Sequence, residues 1–75
     1  MRKIIVESRT EISALVESII KDQTDYVHIP YILSEISKRG YAISGANADG
    51  RIADILLSNP HYLFDSRKGW KLKSL

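Results

Sequence analysis

The side chains best suited to binding chemistry are the cations near the end of the 75-residue chain. Residues 66–75 hold four basic residues and no acid: Arg67, Lys68, Lys71 and Lys73. Ammonium and guanidinium groups gathered in this way suit phosphate oxygens, because affinity for nucleic acid depends on how many phosphates are neutralised together. The formal net charge of +2 is too small to predict such binding by itself. The prediction of phosphate contacts therefore rests on how the charge is distributed.

Further polar candidates lie in the middle of the chain: Lys38, Arg39, Ser44, Asn47 and Arg51. Arg51 is the cation of the third predicted helix, on which Asp49 and Asp54 would repel a phosphate backbone. These acids disfavour reading of bases through that helix, and the sequence instead favours phosphate contact from Lys38 and Arg39. The alternative for all these residues is ordinary solvated charge that keeps a small domain soluble.

The sequence contains no recognisable catalytic motif and no pattern of metal ligands. His28 and His61 are the only histidines, and neither has a second histidine or an acid at metal-ligand spacing. The chain has no cysteine, no nucleophile motif, no glycine-rich phosphate loop and no paired carboxylates. A chain of this length also leaves little room for a pocket. We expect no enzyme activity, no metal, no cofactor and no small-molecule substrate.

The C-terminal cations are predicted to lie on a β-hairpin over residues 60–75. The predicted loop is Arg67-Lys68-Gly69, with Gly69 in the left-handed region. This loop sets Phe64 opposite Leu72. Because side chains alternate between the faces of a strand, one face gathers the apolar residues Tyr62, Phe64, Trp70 and Leu72.

The apolar face of this hairpin is predicted to pack on the helices, since a lone two-stranded hairpin is only marginally stable in water. Stacking of Tyr62, Phe64 and Trp70 on unpaired bases is the alternative. Their common face favours core packing. The opposite face is predicted to carry Asp65, Lys71 and Lys73, with Leu63 as an apolar exception.

The first helix is the most regular element of the sequence. It is predicted to begin near Arg9, after a capping box formed by Ser8 and Glu11, and to end between residues 22 and 24. Apolar residues at helical spacing predict one buried face. They are Ile12, Leu15, Val16, Ile19 and Ile20.

Two further helices follow the first. The second is predicted over residues 30–39, because proline suits a first helical turn and Gly40 suits the left-handed position that ends a helix. The third has Asn47 as its N-cap and ends before Pro60. Gly50 inside this helix costs about 1 kcal/mol relative to alanine. Either a group packs closely against Gly50, or the helix begins later.

Short extended pieces are predicted between the helices. Residues 1–7 contain Ile4-Ile5-Val6 and are expected to form either a short strand or a flexible arm. Residues 27–29 are predicted as a small strand leading into the second helix, and residues 41–46 as an irregular connection. Because the chain is long enough for only one small core, we predict a single domain over residues 1–75.

The order helix, short strand, helix, helix, hairpin is that of a winged helix-turn-helix, an α+β fold with three helices and a C-terminal β-hairpin wing. Three segments resemble the HARE-type helix-turn-helix family: Val27-His28-Ile29-Pro30, Asn47-Ala48-Asp49-Gly50-Arg51-Ile52, and Asn59-Pro60-His61-Tyr62-Leu63-Phe64 with Gly69-Trp70-Lys71-Leu72. Such winged helices occur in the delta subunit of bacterial RNA polymerase and fused to some restriction-type and chromatin proteins. The resemblance implies a nucleic-acid-binding or transcription-associated adaptor without catalysis.

These observations predict a DNA-binding or transcription-associated regulator. Its expected partner is double-stranded DNA, contacted at the phosphates by the wing and the third helix. The alternative is an adaptor that binds a protein or forms a homodimer without nucleic acid, motivated by the acids of the third helix and by Leu63. The longest apolar runs have three residues, too short for a spanning helix or a secretory signal. We therefore expect a cytoplasmic protein with no membrane partner.

Overall fold

The computed structural model describes residues 2–73, which form three helices and four short strands. In chain order these are β1 (Ile4–Val6), α1 (Arg9–Lys21), α2 (Ile29–Lys38), β2 (Tyr41–Ile43), α3 (Ala48–Ser58), β3 (Tyr62–Asp65) and β4 (Gly69–Leu72). The predicted α+β class, with three helices and a C-terminal hairpin, is confirmed, and the layout is winged-helix-like. Residues 1, 74 and 75, which belong to the predicted arm and hairpin, lie outside the described residues.

The apolar stripes of the three helices enclose the core, and the hairpin closes it. The predicted stripe of α1 is buried except at Leu15, which is half-buried. Tyr62 and Trp70 complete the core at 7% and 6% exposed. Burial, with a smaller contribution from Glu17, raises the pKa of Tyr62 to about 12. The buried residues are Val6, Ile12, Val16, Ile19, Ile20, Ile32, Ile36, Ile52, Ile55, Leu56, Tyr62 and Trp70.

The bounds of α1 agree with the sequence, although the predicted cap does not form. The helix begins at Arg9 and ends at Lys21, with Asp22 as its C-cap. Ser8 is the N-cap, but its hydroxyl makes no capping hydrogen bond, so the predicted capping box is wrong. The carbonyl oxygen of Ser8 instead accepts the amide of Ile12 at 3.0 Å. Backbone bonding and the buried stripe are therefore what start this helix.

The ends of α2 confirm the roles predicted for proline and glycine. The helix begins at Ile29, one residue earlier than predicted, which places Pro30 in the first turn. There its missing amide removes no helical hydrogen bond. The helix ends at Lys38, and Gly40 follows with φ of 88°. That backbone conformation turns the chain from α2 into β2.

The glycine inside α3 is explained by close packing. Asn47 precedes the helix as predicted, but its side chain makes no capping hydrogen bond. The Asn47 carboxamide lies over Gly50, where an added Cβ would come within 2.7 Å of the Asn47 Cγ. A larger residue at position 50 would therefore displace Asn47.

The prediction of an irregular connection over residues 41–46 is wrong for its first half, which forms β2 parallel to β1. The amide of Ile4 donates to the Gly40 carbonyl at 2.8 Å, and the amide of Ser44 donates to the Val6 carbonyl at 3.0 Å. Of the two alternatives for residues 1–7, the strand is therefore observed. The paired residues are Ile4 with Tyr41, Ile5 with Ala42, and Val6 with Ile43.

β3 and β4 form the predicted antiparallel hairpin, which together with the loop between them is called the wing. Phe64 lies opposite Trp70, so the predicted pairing of Phe64 with Leu72 is wrong. The loop spans residues 66–68, one position earlier than predicted, and Gly69 follows it with φ of 101°. Because the correction moves every partner by two residues, the predicted apolar set still shares one face.

Phe64 shares that face but is not part of the core. Its side chain is 60% exposed, although its ring centroid lies 4.8 Å from that of Trp70 at an interplanar angle of 46°. The prediction that Phe64 packs into the core is wrong. It lies near the loop end of the wing and packs against Trp70, whereas Tyr62 and Trp70 belong to the core and Leu72 packs against it.

The predicted strand over residues 27–29 is reduced to a single residue. Val27 forms an isolated antiparallel bridge with Trp70, whose amide donates to the Val27 carbonyl at 2.7 Å. The Val27 amide donates in return to the Trp70 carbonyl at 2.8 Å. His28 is the N-cap of α2 and Ile29 is its first residue, so the strand does not extend beyond Val27. Through this bridge, the connection between α1 and α2 is hydrogen-bonded to the wing.

Candidate nucleic-acid interface

Two lysines of the wing lie over one aromatic ring. The bridge between Val27 and Trp70 brings the preceding residue, Tyr26, beside β4. The Nζ atoms of Lys68 and Lys71 each lie 5.7 Å from the centroid of the Tyr26 ring. Such a cation–π contact stabilises by about 0.5–1 kcal/mol at an exposed site. Within residues 2–73 neither member of this lysine pair (Lys68 and Lys71) forms a salt bridge.

The acid of the wing is bound to the loop backbone. The Oδ1 atom of Asp65 accepts the amide of Arg67 at 2.8 Å and that of Lys68 at 2.9 Å. These hydrogen bonds, the one from Arg67 first, hold the pKa of Asp65 below its ordinary value. The carboxylate therefore shapes the loop that carries Arg67 and Lys68, and both of these residues are exposed.

The structure places all four C-terminal cations on the wing or directly after it. Arg67 and Lys68 lie in the loop, Lys71 lies in β4, and Lys73 follows that strand. The amide of Lys73 donates to the carbonyl of His61 at 2.8 Å, which continues the strand pairing. Arg67 and Lys73 are exposed and, among the described residues, form no salt bridge. The wing thus presents a group of cations to solvent.

Tyr26 was not among the residues singled out from the sequence. Its contact with Lys68 spans 42 positions of the chain and depends on the bridge between Val27 and Trp70. The β-favouring composition of the segment around Val27 was the available signal, because it indicated a strand that could pair with the hairpin. Tyr26 belongs to the candidate site as the ring that positions the lysine pair.

Arg51 is engaged by the protein backbone. Its Nη1 atom donates to the carbonyl of Ser44 at 2.5 Å, and its Nη2 atom donates to the carbonyl of Glu7 at 2.8 Å. These carbonyls follow the C-terminal ends of β2 and β1. The guanidinium therefore ties α3 to the ends of both strands. This arrangement favours a structural role over contact with bases.

Replacing Arg51 by alanine is expected to lower the free energy of unfolding by about 1.5–3 kcal/mol, the range of a hydrogen bond to a charged group. Chemical denaturation followed by circular dichroism measures the change. Arg67→Ala is the matched control: its exposed side chain lies in the wing loop, so a change within about 0.5 kcal/mol is expected. If both variants were equally stable and only Arg51→Ala lost DNA affinity, the structural role would be contradicted and contact of Arg51 with DNA bases would be favoured.

The other predicted candidates also have partners within the fold. The Nη1 atom of Arg39 donates to the Ser18 hydroxyl, and its Nη2 atom to the Asp22 carboxylate, both at 3.0 Å. Lys38 forms a salt bridge of 3.4 Å with Glu35. Arg39 is therefore placed to tie the end of α2 to the end of α1. Neither residue lies on the wing, and Asn47 is occupied by its packing on α3.

The exposed surface of α3 is acidic and partly apolar. Asp49 and Asp54 are exposed, and Arg9 forms a salt bridge with Asp54. Leu57 is 74% exposed in the last turn of the helix. A helix that reads bases commonly presents cations and amides to the groove. The accessible cations of the candidate interface lie on the wing, and α3 adds negative charge.

No protein-family model, curated protein or solved structure matches this chain. The resemblance to the HARE-type family therefore stays a prediction, and the winged-helix-like layout rests on the structure. Among residues 2–73, no group of three histidine or acidic residues is arranged to hold a metal ion. No helix of the same residues is long and apolar enough to cross a membrane.

Proposed function

We propose that this chain is a cytoplasmic, transcription-associated DNA-binding module without catalytic activity, which contacts phosphates through its wing. The lysine pair over Tyr26 is the observation that carries the proposal. Arg67 in the same loop and Lys73 after β4 extend the cationic surface. The partner that this surface suits is the backbone of double-stranded DNA.

The lysine pair favours an anionic partner for an electrostatic reason. Both ammonium groups lie against the same ring, and within residues 2–73 neither forms a salt bridge that would neutralise it. Phosphate oxygens offer both ammonium groups charge-assisted hydrogen bonds. The Tyr26 ring holds the lysines in place, which reduces the side-chain entropy lost on binding.

The accessible cations lie on the wing and not on α3, which predicts limited sequence specificity. Phosphate contacts position a protein on DNA, whereas groove contacts to base edges identify the sequence. The guanidinium of Arg51 is bound to backbone carbonyls, and Asp49 and Asp54 oppose approach of the phosphate backbone to α3. We therefore expect binding to random duplex with a strong dependence on salt.

Replacing both Lys68 and Lys71 by alanine is expected to weaken binding to random duplex at low salt by about tenfold or more. The slope of log affinity against log salt should fall by about 1.8, since each neutralised phosphate contributes about 0.9. Fluorescence anisotropy of a labelled duplex at several salt concentrations measures both quantities. Arg2→Ala with Lys21→Ala is the control, because it removes the same charge from exposed residues outside the wing.

Equal losses in the two double variants would show that only net charge matters and would contradict a site on the wing. Negligible duplex binding by the unchanged protein at low salt would contradict the proposed function itself. A protein-binding adaptor is the second candidate, favoured by the exposed Leu57 beside the acidic residues of α3. That candidate predicts a captured protein whose affinity falls with Leu57→Ala and is unaffected by the lysine substitutions.

A further inference from the structure

The two-stranded sheet of β1 and β2 has an apolar and exposed outer strand. Ile4 is 61% exposed and Ile5 is 57% exposed, whereas Val6 at the end of the same strand is buried. Among residues 2–73, β1 pairs with no strand except β2. An unpaired edge that carries β-branched apolar residues is a template for pairing with another chain.

The backbone groups of Ile5 point toward that open edge. Ile4 donates its amide toward β2, and Val6 accepts an amide from the β2 side through its carbonyl. Successive residues of a strand direct their amide and carbonyl groups to opposite edges, so those of Ile5 face away from β2. A second strand could therefore form two hydrogen bonds with Ile5 without disturbing the pairing of β1 with β2.

We propose that a second copy of this chain pairs with this edge, β1 against β1 in antiparallel orientation, about a two-fold axis at Ile5. Such a contact is isologous, because the same strand serves both copies. The register follows from the axis. Ile5 lies opposite Ile5 of the second copy, Ile4 lies opposite Val6, and Lys3 lies opposite Glu7.

The charges that flank β1 are complementary in this register. Lys3 and Glu7 are both exposed. The two-fold axis places Lys3 of each copy opposite Glu7 of the other copy, which gives two pairs of opposite charge. Opposite charges directly across an antiparallel pair stabilise it, and like charges destabilise it. The ammonium of Lys3 donates to the Ser37 hydroxyl within one copy. In the dimer the Lys3 ammonium would pair with the Glu7 carboxylate of the second copy instead of the uncharged Ser37 hydroxyl.

The apolar contacts favour the same arrangement. Pairing Ile5 with its copy removes two exposed β-branched side chains from water at the centre of the contact. The strand is only three residues long, so the buried area is at the low end for protein contacts. We therefore expect a reversible dimer whose population depends on protein concentration.

A charge-exchange series measured by sedimentation equilibrium, without nucleic acid, tests the proposal. Lys3→Glu and Glu7→Lys are each expected to weaken association of the full chain roughly tenfold, because each creates two like-charge pairs. The two substitutions together restore the opposite charges and should restore association. Ser37→Ala is the control for the lost intramolecular contact and should leave association unchanged.

Ile5→Lys provides a second probe that does not require the core to change, since this side chain is exposed. It places two cations at the axis and is expected to abolish the dimer while the circular dichroism spectrum stays the same. The proposal would be overturned if the protein is a monomer at every concentration. It would also be overturned if neither the charge-exchange substitutions nor Ile5→Lys changes the association constant. Neither result bears on DNA binding through the wing, so the two proposals can fail separately.

Discussion

Trp70→Ala is expected to lower the free energy of unfolding by about 3–5 kcal/mol, the range for removal of a buried tryptophan or phenylalanine ring. Trp70 is 6% exposed and belongs to the core that the three helices share. A 75-residue domain has about 4–11 kcal/mol of stability in total, at 0.05–0.15 kcal/mol per residue. The expected loss is therefore a large fraction of the total stability, and the variant should unfold at a much lower urea concentration.

Urea denaturation followed by far-ultraviolet circular dichroism measures this change, because Trp70 is the sole tryptophan and its removal weakens the fluorescence signal. Phe64→Ala is the matched control. The two rings face each other across the wing, but Phe64 is 60% exposed and should cost about 1 kcal/mol, the centre of the distribution for single substitutions. A similar loss in both variants would mean that the wing does not close the core through Trp70.

The helices could be predicted from the sequence because their signals are local. Five apolar residues at helical spacing define the buried face of α1, and glycine and proline mark the ends of α2. A pattern within one segment is read without knowledge of its partners. The capping box failed because the pattern permits the Ser8 bond without requiring it, and backbone bonding together with the stripe is sufficient.

The strands were harder to predict because their partners are distant in sequence. β2 has three residues, and its partner β1 lies 37 positions earlier, so no local periodicity marks the pair. The register of the wing depended on which residue opens the loop. The Asp65 carboxylate accepts two loop amides and fixes the loop at residues 66–68. A glycine at position 69 was compatible with either register, and the sequence did not show which one the Asp65 carboxylate would favour.

The candidate site was predicted in part. Four cations within seven residues predicted a common cationic surface, and the hairpin places them together. The sequence did not reveal that Arg51 would bind the carbonyls of Glu7 and Ser44, since those groups meet only after β1 and β2 have paired. Residue type gave the potential for phosphate contact, and tertiary packing determined which cations remain accessible.

Gly69→Ala is the second large effect expected, with a loss of about 2–5 kcal/mol in the free energy of unfolding. Gly69 has φ of 101°, where a Cβ costs about 1–2 kcal/mol. The new Cβ would also lie 2.7 Å from the Val27 carbonyl carbon and closer still to its oxygen, and such overpacking costs about 1–3 kcal/mol. The obstructing atoms are backbone, so no rotamer change relieves the contact.

Gly40→Ala separates the two causes. Gly40 has φ of 88°, but an added Cβ meets no atom within 4 Å, so only the backbone cost of about 1–2 kcal/mol is expected. Urea denaturation of both variants gives the difference that is due to the close approach of Val27. Because that approach positions Tyr26 against the lysine pair, Gly69→Ala should also weaken DNA binding in the folded fraction, whereas Gly40→Ala should not. Equal stability losses and equal affinities would show that the wing can move away from Val27 at little cost.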